Sequence, residues 1–136
     1  MEDDTNITIT EAVSDLALIA LEQAMANRRD DPDFAPFVLI ESGGQCYIRR
    51  LAAGDDVVEQ ASAFLAREPD STAAYALAYD GTVTVEGTSF DAILVIAGEP
   101  GAPAAFVFTQ RYDAAALASI GSPAFIGQHD SLSRVP

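Results

Sequence analysis

Apolar residues recur at helical spacing in two segments of the chain. In the first, Glu11 to Asn27, they fill the i, i+3, i+4 and i+7 positions that make one packed face of a helix. In the second, Val57 to Arg67, a similar face ends shortly before Pro69, which a helix interior does not tolerate. The pattern therefore predicts two main helices.

Other parts of the chain alternate apolar and polar residues, which is the period-two pattern typical of strands. Two apolar or alternating runs, Phe37 to Glu41 and Cys46 to Leu51, flank a Ser-Gly-Gly-Gln loop of hairpin length. In the second run Arg49 and Arg50 fall on opposite faces of the strand. Such charges are typical of a protected edge strand, and an anion-binding arginine is the alternative interpretation.

The segment Thr72 to Tyr112 is predicted to be a four-strand meander. We place its first turn at Asp80-Gly81, because Asp-Gly between two alternating runs is the strongest short-range hairpin signal. Further turns are expected at Glu86-Gly87-Thr88 and across residues 98–103. The strands defined in this way are Ala73–Tyr79, Thr82–Glu86, Phe90–Ala97 and Ala105–Tyr112.

Together these elements predict an α+β fold, in which a largely antiparallel sheet of about six strands packs with the two main helices. The sheet would combine the hairpin with the meander. We expect a single domain over residues 1–126, a short helix from Ala114 to Ile120, and a flexible C-terminal tail over residues 127–136. Since Phe90 to Ala97 is apolar on both faces, this strand needs a covering layer on each side of the sheet.

The first helix carries more apolar surface than one sheet face normally covers. Leu18, Ile19 and Met25 widen its apolar stripe. One interpretation is that the helix lies deep across the sheet. The other is that these residues contact a second subunit, which predicts a homodimer.

The charge of the chain restricts its partners. The 136 residues include 21 acidic side chains and seven basic ones, all of them arginine, which gives a net charge of -14. Such a charge disfavours nucleic acid and anionic lipid, and it makes a basic protein the expected partner. Abundant alanine without lysine indicates a GC-rich bacterial genome, and salt adaptation is a second explanation for the acidity.

The sequence offers little material for catalysis. His129 is the single histidine and Cys46 the single cysteine, so neither a histidine-based triad nor a multi-histidine metal site can be built within one chain. We expect Cys46 to be a small buried residue of a strand. No catalytic, cofactor-binding or metal-binding residue is assigned, no cofactor is expected, and the single cysteine favours a cytoplasmic protein.

Two functional hypotheses follow from these observations. The favoured one is a non-catalytic protein-binding or assembly module that acts as a homodimer. The alternative is a small-ligand-binding or enzymatic domain with a pocket between the sheet and the first helix, in which Arg49 or Arg111 anchors an anion. The aromatic residues expected to line that pocket are Tyr75, Tyr79, Phe106, Phe108 and Tyr112.

Overall fold

A computed structural model of the chain describes residues 9–30, 34–52, 54, 56–67, 72–100, 102, 104–113, 115, 118–130 and 132. These residues form two helices, α1 (Glu11–Asp30) and α2 (Val57–Leu65). They also form six strands, which are β1 (Phe37–Ser42), β2 (Gln45–Arg50), β3 (Thr72–Val85), β4 (Thr88–Gly98), β5 (Ala104–Asp113) and β6 (Ala118–Asp130). The predicted α+β fold is confirmed.

All six strands belong to one antiparallel sheet in the order β2-β1-β3-β4-β5-β6. The predicted first hairpin is present, and its turn is Gly43-Gly44, with φ values of 61° and 80°. Two positive φ angles define the type I′ turn that joins strands most tightly. Strand β2 lies at one edge of the sheet, where Arg49 and Arg50 were expected to place it, and β6 lies at the other edge.

The turn predicted at Asp80-Gly81 is wrong. Both residues lie inside β3, where they pair with Ile93 and Ala92 of β4. The β3–β4 turn is Glu86-Gly87, which has the two positive φ angles, 51° and 82°. Strand β3 continues through Asp80-Gly81 because each residue has a role there: the Asp80 carboxylate accepts a hydrogen bond from Tyr112, and Gly81 leaves room for a side chain of β4.

The C-terminal part of the chain also differs from the prediction. Residues 118–120, which were expected to be helical, begin strand β6. Residues 127–130, which were placed in a flexible tail, are the end of the same strand, and the Leu132 side chain is only 2% exposed. Residues 114, 116 and 117 of the predicted helix, and the tail residues 131 and 133–136, lie outside the described residues.

One helix covers each face of the sheet. Helix α1 packs mainly across β3 and β4, where Ala74, Ala76 and Ala78 present small side chains that let the helix approach closely. Helix α2 packs on the opposite face against residues that include Val38, Leu77 and Ile96. The second layer that the two-sided strands require is therefore supplied largely by α2.

The surroundings of two glycines in the sheet predict that the same substitution destabilises the fold at one position and has little effect at the other. A Cβ at Gly98 would lie 2.8 Å from Oη and 3.1 Å from Cζ of Tyr75, a fully buried ring that cannot turn away. A Cβ at Gly81 would also lie 2.8 Å from its nearest neighbour, but that atom is Cδ1 of Leu94, the end of a partly exposed side chain that can adopt another rotamer. We expect Gly98→Ala to lower the free energy of unfolding by about 1–3 kcal/mol in denaturant titrations.

Gly81→Ala serves as the matched control, with an expected change within about 0.5 kcal/mol, because alanine also reduces the entropy of the unfolded chain. Equal destabilisation by both substitutions would contradict this packing.

Candidate functional site

A groove runs between helix α1 and strands β5 and β6, with a volume of about 390 Å³. This volume lies in the range of small-ligand sites. Its α1 wall consists of Leu18, Leu21, Glu22, Met25 and Arg29, and its sheet wall consists of Gln110, Ser119 and Pro123. The site therefore lies between the sheet and the first helix, as the alternative hypothesis expected, but its lining residues are different.

Helix geometry explains why this flank of α1 is open. Leu18, Met25 and Arg29 are spaced by seven and four residues, so they share one side of a helix with 3.6 residues per turn. Because α1 packs mainly on β3 and β4, that side overhangs β5. The helix and the outer strands then form the two walls of the groove, with the cation Arg29 at the end nearest the helix C-terminus.

Gln110 is the most deeply buried polar residue of the groove, with 4% of its surface exposed. Its Nε2 donates to the carbonyl oxygens of Arg111, Ile120 and Gly121 at 2.9, 3.2 and 3.2 Å, where the register of β5 and β6 shifts. Three carbonyl acceptors determine which end of the side chain is the nitrogen. The Oε1 oxygen has no donor among the described residues, so Gln110 has a free acceptor beside the groove.

A polar cluster fixes the end of α1 next to Arg29. The Tyr112 hydroxyl donates to Asp80 Oδ1 at 2.7 Å, Arg28 Nε donates to the same hydroxyl at 3.2 Å, and Arg28 Nε lies 3.5 Å from Asp80 Oδ2. The guanidinium carbon of Arg28 also lies 5.5 Å from the centre of the Tyr112 ring. These contacts join α1 to both β3 and β5.

The environment of this cluster raises the pKa of two of its groups, Tyr112 and Arg28. Burial, followed by the hydrogen bond to Asp80, raises the pKa of Tyr112 above its ordinary value, so the phenol stays neutral. The hydrogen bond to Tyr112 raises the pKa of Arg28, so the guanidinium stays charged. The neutral phenol and the charged guanidinium keep their hydrogen bonds at neutral pH, so the cluster is a structural clamp between α1 and the sheet.

The aromatic residues predicted to line one pocket lie on both faces of the sheet. Phe106, Phe108 and Tyr112 face α1, whereas Tyr75 packs on the α2 side and Tyr79 lies at the margin of that core. They do not surround a common cavity.

The two candidate anchor residues also lie away from the groove. The guanidinium of Arg49 stacks on Phe64 at 5.0 Å, at the exposed edge of the sheet. The guanidinium of Arg111 stacks on Phe90 at 4.8 Å. The arginine at the groove is Arg29 instead.

The three residues predicted to contact a second subunit are also separated. Leu18 is 43% exposed and lines the groove, while Met25 lines it from within the core at 6% exposure. Ile19 is 47% exposed, but it is turned about 100° around the helix from Leu18. Leu18 and Met25 thus line the groove, and Ile19 does not.

Sequence reasoning missed Arg29, Gln110 and Ser119 as groove residues. Arg29 follows directly after the predicted helix, Glu11 to Asn27, where a cation is explained by the helix dipole alone. Gln110 carried a usable signal, because it interrupts an apolar series at alternate positions of a strand. Ser119 could not be placed, since the segment around it was expected to be helical.

Catalytic pairing of the cysteine and the histidine is ruled out by the sheet order. Cys46 is exposed in β2, contrary to the expectation of burial, and His129 lies in β6. Five strand spacings separate these two edges by about 24 Å.

Among the described residues, no three His, Cys, Asp or Glu side chains cluster in a way that could hold a metal ion.

Neither helix in the described part of the chain is both long and apolar enough to span a membrane.

Comparison of the chain with protein-family models gives no match, and comparisons with curated proteins and with solved structures give none either. The function must therefore be argued from the groove and the surfaces themselves.

Removal of the Tyr112 hydroxyl tests the clamp. At neutral pH, Tyr112→Phe should lower the free energy of unfolding by about 1–2 kcal/mol, because the partly buried cluster loses two hydrogen bonds. The folded-state pKa of Tyr112 is raised, so its contribution is complete below the unfolded pKa of about 10 and is lost as pH rises through the folded value.

Urea titrations of the wild type and the variant across this alkaline range should therefore converge. Tyr79, whose pKa is also raised by burial, is common to both proteins and cancels in the difference. A stability difference that stays constant above pH 10 would contradict the role of the clamp.

Proposed function

We propose that this chain is a non-catalytic protein-binding or assembly module that acts as a homodimer. The observation that carries the proposal is the position of its half-exposed apolar side chains, several of which lie toward the two edges of one sheet. At one edge Tyr47 and Ile48 of β2 are 53% and 49% exposed, and at the other edge Phe125 of β6, on the α1 face of the sheet, is 50% exposed. Exposed apolar surface of this kind favours association.

The groove side supplies the surface for a partner protein. Phe125 packs on Phe106 and Phe108 with ring centroids 6.1 and 5.8 Å apart, which holds its ring in place while half of its surface stays exposed. Leu18 lies across the same side of the sheet on α1. A rigid aromatic beside an apolar groove is the kind of anchor that protein interfaces use.

Charge supports a basic partner in a cytoplasmic setting. The net charge of -14 attracts a basic protein and accelerates its encounter. A single cysteine excludes an intrachain disulfide, which supports a reducing compartment. The α1 surface carries the interaction, and the charge of the chain selects the partner.

A matched pair of variants tests whether the groove binds the partner protein while a different surface forms the homodimer. We expect light scattering to give twice the chain mass of 14.3 kDa for the wild type and for both variants. Immobilised wild type and Ile126→Glu should retain basic proteins from a native lysate at low salt, whereas Leu18→Glu should lose them. Leu18 and Ile126 have similar exposure, but only Leu18 lines the groove.

A monomeric wild type at every concentration would contradict the homodimer. Retention of the same proteins by Leu18→Glu would contradict the groove as the partner surface.

The alternative function, a small-ligand site, is favoured by one specific observation. Arg29 is a cation at the end of the groove, and Gln110 Oε1 is a free acceptor close to it. An apolar carboxylate or sulfonate that also carries an N–H or O–H donor would match both groups.

The fluorescent dye anilinonaphthalene sulfonate is a suitable probe, since it has an apolar body, an anion and an N–H group. The wild type should enhance its fluorescence, and Arg29→Met should weaken binding roughly tenfold, as expected for the loss of one charge-assisted contact. Arg67→Met, which changes an exposed arginine outside the groove, is the control. Equal binding by both variants would count against this function.

A further inference from the structure

Strand β2 is an open edge that is protected only by its two arginines. All six of its residues are exposed, and the strand has no bulge, proline or internal glycine. The opposite edge strand, β6, contains Pro123, a positive φ at Gly121 and two register shifts against β5. These are the features that prevent edge-to-edge pairing, and β2 carries only two arginines in their place.

The register of the β1–β2 hairpin shows which backbone groups of β2 are free. Ser42 pairs with Gln45 across the two-residue turn, and Leu51 N donates to Pro36 O at 2.8 Å. Hydrogen-bonded pairs alternate with non-bonded pairs between these two points. Gln45, Tyr47 and Arg49 therefore bond to β1, while the N–H and C=O groups of Cys46, Ile48 and Arg50 point outward from the sheet.

We infer that β2 pairs antiparallel with β2 of a second copy, with Ile48 opposite the partner's Ile48 on a two-fold axis. This inference rests on the proposed homodimer and specifies how it forms. Only this register pairs all three outward residues, since Cys46 then faces the partner's Arg50 and Arg50 faces the partner's Cys46. Each pair exchanges two hydrogen bonds, about six in all, and the two sheets become one.

The two neighbouring registers of the β2–β2 pair are less favourable. Sliding the partner by two residues in one direction places Arg49 opposite the partner's Arg49, which is a like-charge pair. Sliding it in the other direction leaves the outward groups of Arg50 without partners. In the inferred register, Arg49 faces the partner's Tyr47, a cation and an aromatic ring that attract each other.

The junction of β2 with the partner's β2, called the β2 seam below, also brings opposite charges together. Glu41 of β1 pairs with Cys46 of β2, and Cys46 faces the partner's Arg50. The three residues form one row on the same face of the joined sheet, with the small Cys46 in the middle. Two strand spacings separate Glu41 from the partner's Arg50 by about 10 Å, which the two long side chains together can span. The seam thus pairs the arginines of an acidic chain with carboxylates.

A cysteine moved to the two-fold axis tests the register. Hydrogen-bonded partners have Cα atoms about 5.5 Å apart, within the range of a disulfide. The double variant Cys46→Ser, Ile48→Cys should therefore form a disulfide-linked dimer under mild oxidation. The wild type carries one thiol as well, but its two Cys46 residues would lie about 14 Å apart along the seam, so it should not cross-link.

Ile48→Lys provides the second measurement. It places two like charges opposite each other and should raise the dissociation constant of the dimer roughly tenfold or more, with an unchanged circular dichroism spectrum. Ile126→Lys changes a residue of similar exposure at the other edge and should leave the dimer intact.

The outcomes separate this inference from the proposed function. A wild-type dimer that does not form the Ile48→Cys cross-link and survives Ile48→Lys would overturn the β2 seam and leave the homodimer standing. A monomeric wild type would overturn both. Cross-linking of the double variant together with dissociation of Ile48→Lys supports the seam.

Discussion

The fold depends on covering a sheet that is apolar on both faces. In the middle of the sheet, Leu77, Ile93, Val95 and Ile96 are fully buried, although neighbouring positions along a strand point to opposite sides. Water can be excluded from both faces only if each has its own layer. One helix on each side meets this requirement, and α1 and α2 are the two helices of the described chain.

The same constraint determines which parts of the sheet stay uncovered by the helices. One helix is narrower than six strands, and α1 lies over the centre of the sheet, so the outer strands are only partly covered. On one side this leaves the groove beside β5 and β6, and at the far edge it leaves β2 exposed. The candidate partner surface and the candidate self-pairing edge thus have one cause, a wide sheet with few helices.

Much of the fold could be predicted from the sequence because the relevant signals are local. The apolar periodicity of Glu11 to Asn27 and the two glycines after Ser42 predict α1 and the first hairpin directly. The turn predicted at Asp80-Gly81 was wrong because Asp80 makes tertiary contacts that a local pattern does not show. Asp80 binds Tyr112 and Arg28, which are distant in sequence. Strand β6 was missed because its glycines and Pro123 resemble a loop, and only pairing with β5 makes it a strand.

The groove could not be predicted for a related reason. Its walls come from α1 and from the β5–β6 pair, so placing Gln110 and Ser119 requires the strand that the local pattern did not show. The predicted aromatic pocket assumed that one face held all five rings. The alternation of β3 against β5 distributes them over both faces instead.

The central claim is that the free edge of this sheet is where two copies meet, and amide hydrogen exchange tests it most directly. In a single chain, the Ile48 amide points to water and the Tyr47 amide bonds to β1. With rising protein concentration, exchange at Ile48 should slow until it approaches that of Tyr47. Rapid exchange at Ile48 in a sample shown to be dimeric would contradict the account.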